Sequence, residues 1–115
     1  MQRGEVRLID LERARGSEAN KRQPAIIVSN DRANAAATRL GRGVVTVVPV
    51  TSATTRVFAF QVLLRADSTG LKFDAKAQSE QVRAVTVERI GPVLGRVPAD
   101  TMAEVDEALR LHLQL

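Results

Sequence analysis

The sequence predicts a mainly β, α+β domain: a small, strongly bent sheet or barrel, with a short helix after its second strand and a helix at the C-terminus. Two observations predict it. Short apolar and β-branched runs recur between turn residues through most of the chain, the pattern of short strands. The period then changes to that of a helix, with Met102, Val105, Leu109 and His112 or Leu113 falling on one side. At 115 residues the chain is expected to form one domain, 1–115, able to bury its own core without staples.

Glu5–Leu11 alternates loosely, with Val6, Leu8 and Asp10 on one side, and reads as the first strand. Glu12–Gln23 is polar, carries Gly16 and Ser17, and reads as a loop. Pro24–Ser29 follows as a strand buried on both faces. Pro24 stands at its first position, where a missing N–H does least harm. Asn30 or Asp31 caps an alanine-rich helix over Ala33–Leu40 that ends at Gly41. Val44–Val50 is the most β-branched run and should be central, with Pro49 marking a bulge or the strand end. Phe58–Leu64, Phe73–Ala77 and Val82–Val85 are further strands, Asp67–Gly70 is a turn, and Thr86–Ile90 continues or follows the last strand. Asp100 or Thr101 caps the final helix, whose acidic first turn suits the helix dipole.

Composition removes several kinds of function. There is no cysteine and one histidine, so neither disulfides nor a His/Cys metal site can be assembled. His112 sits near the end of the last helix and reads as part of its packed or rim face. No run of about 18 apolar residues is present to span a membrane, and Met1–Leu11 lacks a signal-peptide core. A cytoplasmic location is expected. The core must be aliphatic, because Phe58, Phe60 and Phe73 are the only aromatics. The net charge of +4 is uneven: residues 98–115 carry one Lys/Arg against four Asp/Glu, and the basic surplus lies before them. Such a surplus attracts phosphate or an acidic partner; it is equally compatible with a solvated surface.

No phosphate-binding glycine loop or nucleophile elbow occurs, so catalysis would use Arg, Lys, Thr, Ser, Glu, Asp or backbone groups. That set suits one reaction. RNA carries its own nucleophile, the 2′-hydroxyl, and needs alignment, proton transfer and charge compensation at phosphorus. A guanidinium can clamp the phosphoryl oxygens and a hydroxyl can bond another.

The pieces R-G-E-V from Arg3, G-S-E from Gly16, P-A-I-I-V-S-N from Pro24, V-P-V-T-S from Val48 and E-Q-V-R from Glu80 together resemble the MazF/PemK toxins. These are endoribonucleases of bacterial toxin–antitoxin pairs. The resemblance implies an SH3-like, CcdB-like sheet and a metal-independent, cofactor-free, sequence-specific cleavage of single-stranded RNA. Products would be 2′,3′-cyclic phosphate and 5′-hydroxyl ends. It further implies a homodimer whose interface groove holds RNA, and a cognate antitoxin that lays a disordered acidic C-terminal segment there.

By the same resemblance Thr51 contacts the scissile phosphate with Ser52 beside it, and both also read as turn residues closing the central strand. Glu18 lies in a loop covering the RNA groove. Glu80, Gln81 and Arg83 could contact bases and phosphate, with Gln81 and Arg83 on one strand face. Asn34 is a further groove position. Two departures stand out. Gln23 occupies the place before proline that is usually Arg, with Arg22 one residue earlier, and adjacent strand residues face opposite sides. A neutral amide cannot give the charged clamp, so weak or absent cleavage is expected. Arg7 replaces the usual aromatic; an outward face and little functional effect are expected. Two other classes remain open: a CcdB-like toxin that docks on gyrase, and a non-catalytic RNA-binding barrel. Poverty in aromatics counts against the latter, since single strands stack on aromatic rings.

Overall fold

In the computed structural model, which describes residues 1–12 and 21–115, the strands are β1 (Glu5–Glu12), β2 (Lys21–Ile27), β3 (Val44–Thr51), β4 (Gln61–Leu64), β5 (Ala75–Gln78), β6 (Arg83–Thr86) and β7 (Ile90–Arg96). The helices are α1 (Asp31–Leu40), α2 (Ala66–Thr69) and α3 (Ala99–Leu113). The sheet runs β4-β5-β3-β2-β1-β7, and β6 pairs with β3 as well. No described helix is long and apolar enough to cross a membrane.

The double partnership of β3 shapes the molecule. Val44–Val47 pairs with β6, and Val50–Thr51 pairs with β5. On that edge of β3, Pro49 sits between the two ladders and interrupts neither, while on the other edge it is the partner of Ala25 in β2. It therefore marks neither a bulge nor the strand end, as the sequence had suggested, but a change of neighbour. The expectation for Pro24 also needs correcting. β2 begins at Lys21, because Arg22 and Gln23 already pair with Asp10 and Ile9 of β1. Pro24 is thus internal, and it is tolerated because the ladder to β3 starts only at Ala25.

Two aliphatic clusters fill the fold. Val6, Ile26, Val48, Val50, Leu64 and Val105 belong to the cluster that reaches α3, and Ile9, Ala25, Ile27, Val45, Val47 and Val85 to the one that reaches α1. Each fully buried Val, Leu or Ile contributes about 1.5–3 kcal/mol. The first strand therefore does not bury Leu8 and Asp10 with Val6. Val6, Ile9 and Leu11 are the buried residues, and they serve different clusters.

Local signals place most elements well. Asn30 caps α1 by accepting the Ala33 N–H at 2.9 Å, and Gly41 closes it at φ +65°. α3 starts earlier than expected: Pro98 precedes it without a side-chain cap, and Asp100 and Thr101 lie in the first turn. Its buried stripe is Met102, Val105 and Ala108 with Leu109 partly covered, whereas His112 and Leu113 face solvent.

Three of the expectations shift. Phe58 and Phe60 precede β4 and stack on each other at 5.4 Å instead of pairing in a ladder. The turn at Asp67–Gly70 is one turn of helix closed by Gly70. β7 has no counterpart among the sequence expectations, because I-G-P-V-L-G-R shows no alternation. It is a sheet-edge strand, where Pro92 is allowed. Its glycines are close-approach positions: a Cβ at Gly95 would stand 2.5 Å from the Thr69 carbonyl oxygen.

Arg7 is not simply outward. Its side chain is 20% exposed and bonds Glu5 at 3.0 Å and the Gly91 carbonyl at 3.0 Å, tying β1 to β7.

Candidate functional site

The β2–β3 ladder runs toward the two central positions. β2 and β3 pair with Ala25 opposite Pro49. The ladder stops at that pair, two residues short of both Gln23 and Thr51, and the same antiparallel register carried past it assigns the two positions to one sheet face. The row extends further, since Ile9 pairs with Gln23, Thr51 with Lys76, and Lys76 with Leu63. Thr51 is half-buried, and its hydroxyl accepts the Ala53 N–H at 3.3 Å, which turns the chain out of β3. Ser52 follows it and is exposed. Pro24, Thr51, Ser52, Leu71, Phe73 and Leu94 border a cavity of about 440 Å³.

Arg22 lies elsewhere. Alternation puts it on the opposite face from Gln23, and it lines a separate cavity with Leu8, Asp10, Glu88 and Arg89. The guanidinium one residue before the expected position is therefore not in the Thr51 row.

The E-Q-V-R segment follows β5. Ser79–Gln81 forms a 3-10 turn, so Glu80 and Gln81 do not alternate along a strand as expected. Arg83 nevertheless reaches back, its guanidinium donating to the Gln81 side-chain oxygen at 3.2 Å. Glu80 accepts a hydrogen bond from the Gln61 amide at 2.8 Å, and its other carboxylate oxygen is buried without a protein partner among the described residues. Gln61 in turn accepts the Phe58 N–H at 3.2 Å, coupling this carboxylate to the segment between β3 and β4.

Asn34 does not join the site. Its side chain is fully buried, and its amide donates to the Ser29 carbonyl at 2.8 Å while bonding the Ser29 hydroxyl. It fastens α1 to the end of β2, so its polar atoms are spent inside the fold. Glu18 lies outside the described residues. Among those described, no group of three His, Cys, Asp or Glu could hold a metal ion. Sequence reasoning overlooked Lys76, 8% exposed in the Thr51 row. The available signal was a lone cation between two alanines in a strand.

The fold and the Gln23–Thr51 row accompany a family assignment. A profile of the PemK-like, MazF-like toxins of type II toxin–antitoxin systems matches residues 2–113, and the chain belongs to that family. It is 61% identical over 115 residues to Endoribonuclease MazF9 of Mycobacterium tuberculosis, covering 100% of this chain and 98% of that protein. The fold is similar to MazF (Form-I) from Deinococcus radiodurans, with a TM-score of 0.78, 25% identity, and 100% and 97% of the two chains covered. It is also similar to an endoribonuclease in complex with its cognate antitoxin from a mycobacterial species. There the TM-score is 0.76 and the identity 23%, over 100% of this chain and 96% of that one, a likeness of fold. The expected mainly antiparallel sheet with a short helix and a C-terminal helix is thus the architecture of MazF structures.

Proposed function

We propose that this chain is a sequence-specific endoribonuclease of single-stranded RNA that acts without a metal, as the toxin of a toxin–antitoxin pair. The observation that carries the reading is the relative at 61% identity over the whole chain, which is named an endoribonuclease; the register that assigns residue 23 and Thr51 to one sheet face supports it. A phosphodiester laid along that row meets the Thr51 hydroxyl, which bonds one phosphoryl oxygen. The neighbouring ribose 2′-hydroxyl attacks phosphorus and releases its proton to solvent, the bond from phosphorus to the 5′-oxygen breaks, and that oxygen takes a proton from solvent. Because the nucleophile belongs to the substrate, the protein supplies alignment and charge compensation. Ser52, Glu80, Gln81 and Arg83 are the described candidates for contacts to flanking nucleotides, and Glu18 is the candidate from the loop.

At residue 23 the chain offers an amide where a guanidinium would bring two charge-assisted bonds. Arg22 faces the other side of the sheet and does not replace it. The native chain is therefore expected to cleave slowly. The protein is proposed to act in the cytoplasm as a homodimer. Its antitoxin would compete with RNA through an acidic C-terminal segment, which the basic surplus before residue 98 favours.

The test is cleavage of a transcript pool with and without EDTA, followed by end analysis. Activity that persists in EDTA and leaves 2′,3′-cyclic phosphate and 5′-hydroxyl ends is expected. EDTA-sensitive cleavage or 5′-phosphate ends would contradict the proposal. Capture of gyrase without any cleavage would favour the gyrase-docking alternative.

A further inference from the structure

Lys76 is a buried cation in the row that holds Thr51. Its side chain is on the same sheet face, because the two residues are direct cross-strand partners. Such partners have Cβ atoms about 5 Å apart. The residue is 8% exposed. Its ammonium donates to the Arg56 carbonyl at 2.6 Å and lies 6.0 Å from the centre of the Phe58 ring. The Arg56 guanidinium lies 5.4 Å from the same ring, so two cations converge on one aromatic.

Among the described residues no carboxylate forms a salt bridge with Lys76. An ammonium has three donors, and one carbonyl takes one of them. A lysine withdrawn this far from water is ordinarily paired with an anion. Among the described residues the protein supplies the seat and no anion, which leaves the remaining donors for a bound one.

We infer that Lys76 contacts the phosphodiester bound at Thr51, offsetting its charge from β5. The inference rests on the reading of Thr51 as a phosphate-binding position. It adds a positive charge to that of Lys72, which borders the Thr51 cavity, in a site whose residue 23 is neutral. Arg56, on the segment that covers Lys76, reinforces the same positive region. The role is electrostatic and involves no proton transfer.

The test uses a single-stranded 2′-O-methyl RNA oligonucleotide of mixed sequence, which binds but cannot be cleaved. Binding is measured over a range of salt for the native chain, Lys76→Met and Lys76→Arg, with thermal melts to confirm folding. Each phosphate neutralised on a single strand contributes about 0.7 to the slope of log K against log salt. Lys76→Met is expected to lower the slope by about that amount and to weaken binding roughly tenfold at low salt, and Lys76→Arg to restore both. An unchanged slope and affinity in Lys76→Met would overturn the inference.

Where Lys76→Met does not fold, the Lys76 Cε–H and Nζ–H resonances of the native chain are followed as the oligonucleotide is added. Movement supports the contact, and stationary signals overturn it. The two readings separate cleanly. A lowered slope with no cleavage by any form, Gln23→Arg included, removes the nuclease reading and leaves the anion contact. Cleavage by Gln23→Arg that Lys76→Met leaves unaltered, with an unaltered slope, removes the contact alone.

Discussion

Replacing Arg7 by Ala probes the link between β1 and β7. The guanidinium makes bonds of 3.1 and 3.0 Å to the Glu5 carboxylate and one of 3.0 Å to the Gly91 carbonyl. Both charged side chains are mostly covered, at 20% and 16% exposed, so solvent screening is incomplete. A fully exposed pair would contribute about 0–1 kcal/mol, whereas hydrogen bonds to charged groups contribute about 1.5–3 kcal/mol each when both partners are held. Glu5 keeps one further bond, from the Gln2 N–H at 3.1 Å. A net loss of about 2 kcal/mol follows, which lowers the Tm of a domain this size by about 8 °C.

The effect has a pH signature. Burial pushes the Glu5 carboxyl up, but bonds from the Gln2 backbone and Arg7, with the charges of Arg7 and the N-terminus, hold it below its ordinary 4.5. A carboxylate with a depressed pKa in the folded state contributes stability above its unfolded pKa and loses it as pH falls through the folded one. The gap between the native chain and Arg7→Ala should therefore be full at pH 7 and shrink below about pH 4.5. Urea melts at pH 7 and pH 3 read this directly. A difference at pH 7 under about 0.5 kcal/mol, the range of ordinary surface changes, would refute the reasoning.

Other expectations concern the site and its frame. Asn34→Ala should destabilise by about 2 kcal/mol, because it removes the fully buried amide that donates to the half-buried Ser29 carbonyl. While folded it should bind RNA with an unchanged salt slope, measured by titration. Thr51→Ala, made together with Gln23→Arg, should lower kcat by about 10²–10³-fold with little change in Tm, read by single-turnover cleavage. Self-association is expected from Val57, Phe58, Leu63, Leu111 and Leu113, which are exposed apolar side chains on or beside β4 and α3. Equilibrium sedimentation at micromolar concentration should show a dimer, and a monomer only would contradict it.

How much was legible in the sequence depended on whether the signal was local. α1 was readable because Asn30 and Gly41 are residues that end helices by their own chemistry, and β3 because five of its eight residues are valine. β7 was not, since its glycines answer to the Leu8 and Thr69 carbonyls far away in sequence. The residues before β4 read as strand by alternation, but a contact between Phe58 and Phe60 and the Gln61 amide turned them out of the ladder. At the site, the motif draws attention to Gln23 and Thr51, while the sheet face each takes depends on register between strands. Lys76 was hidden for the same reason: only the β3–β5 pairing puts it beside Thr51.

The most direct measurement compares cleavage of single-stranded RNA by the native chain and by Gln23→Arg under identical conditions. A guanidinium at residue 23 should raise the single-turnover rate by about 10²-fold or more. Equal and strong activity in both forms would show that residue 23 does not govern the reaction, and the proposed arrangement of the site would be wrong.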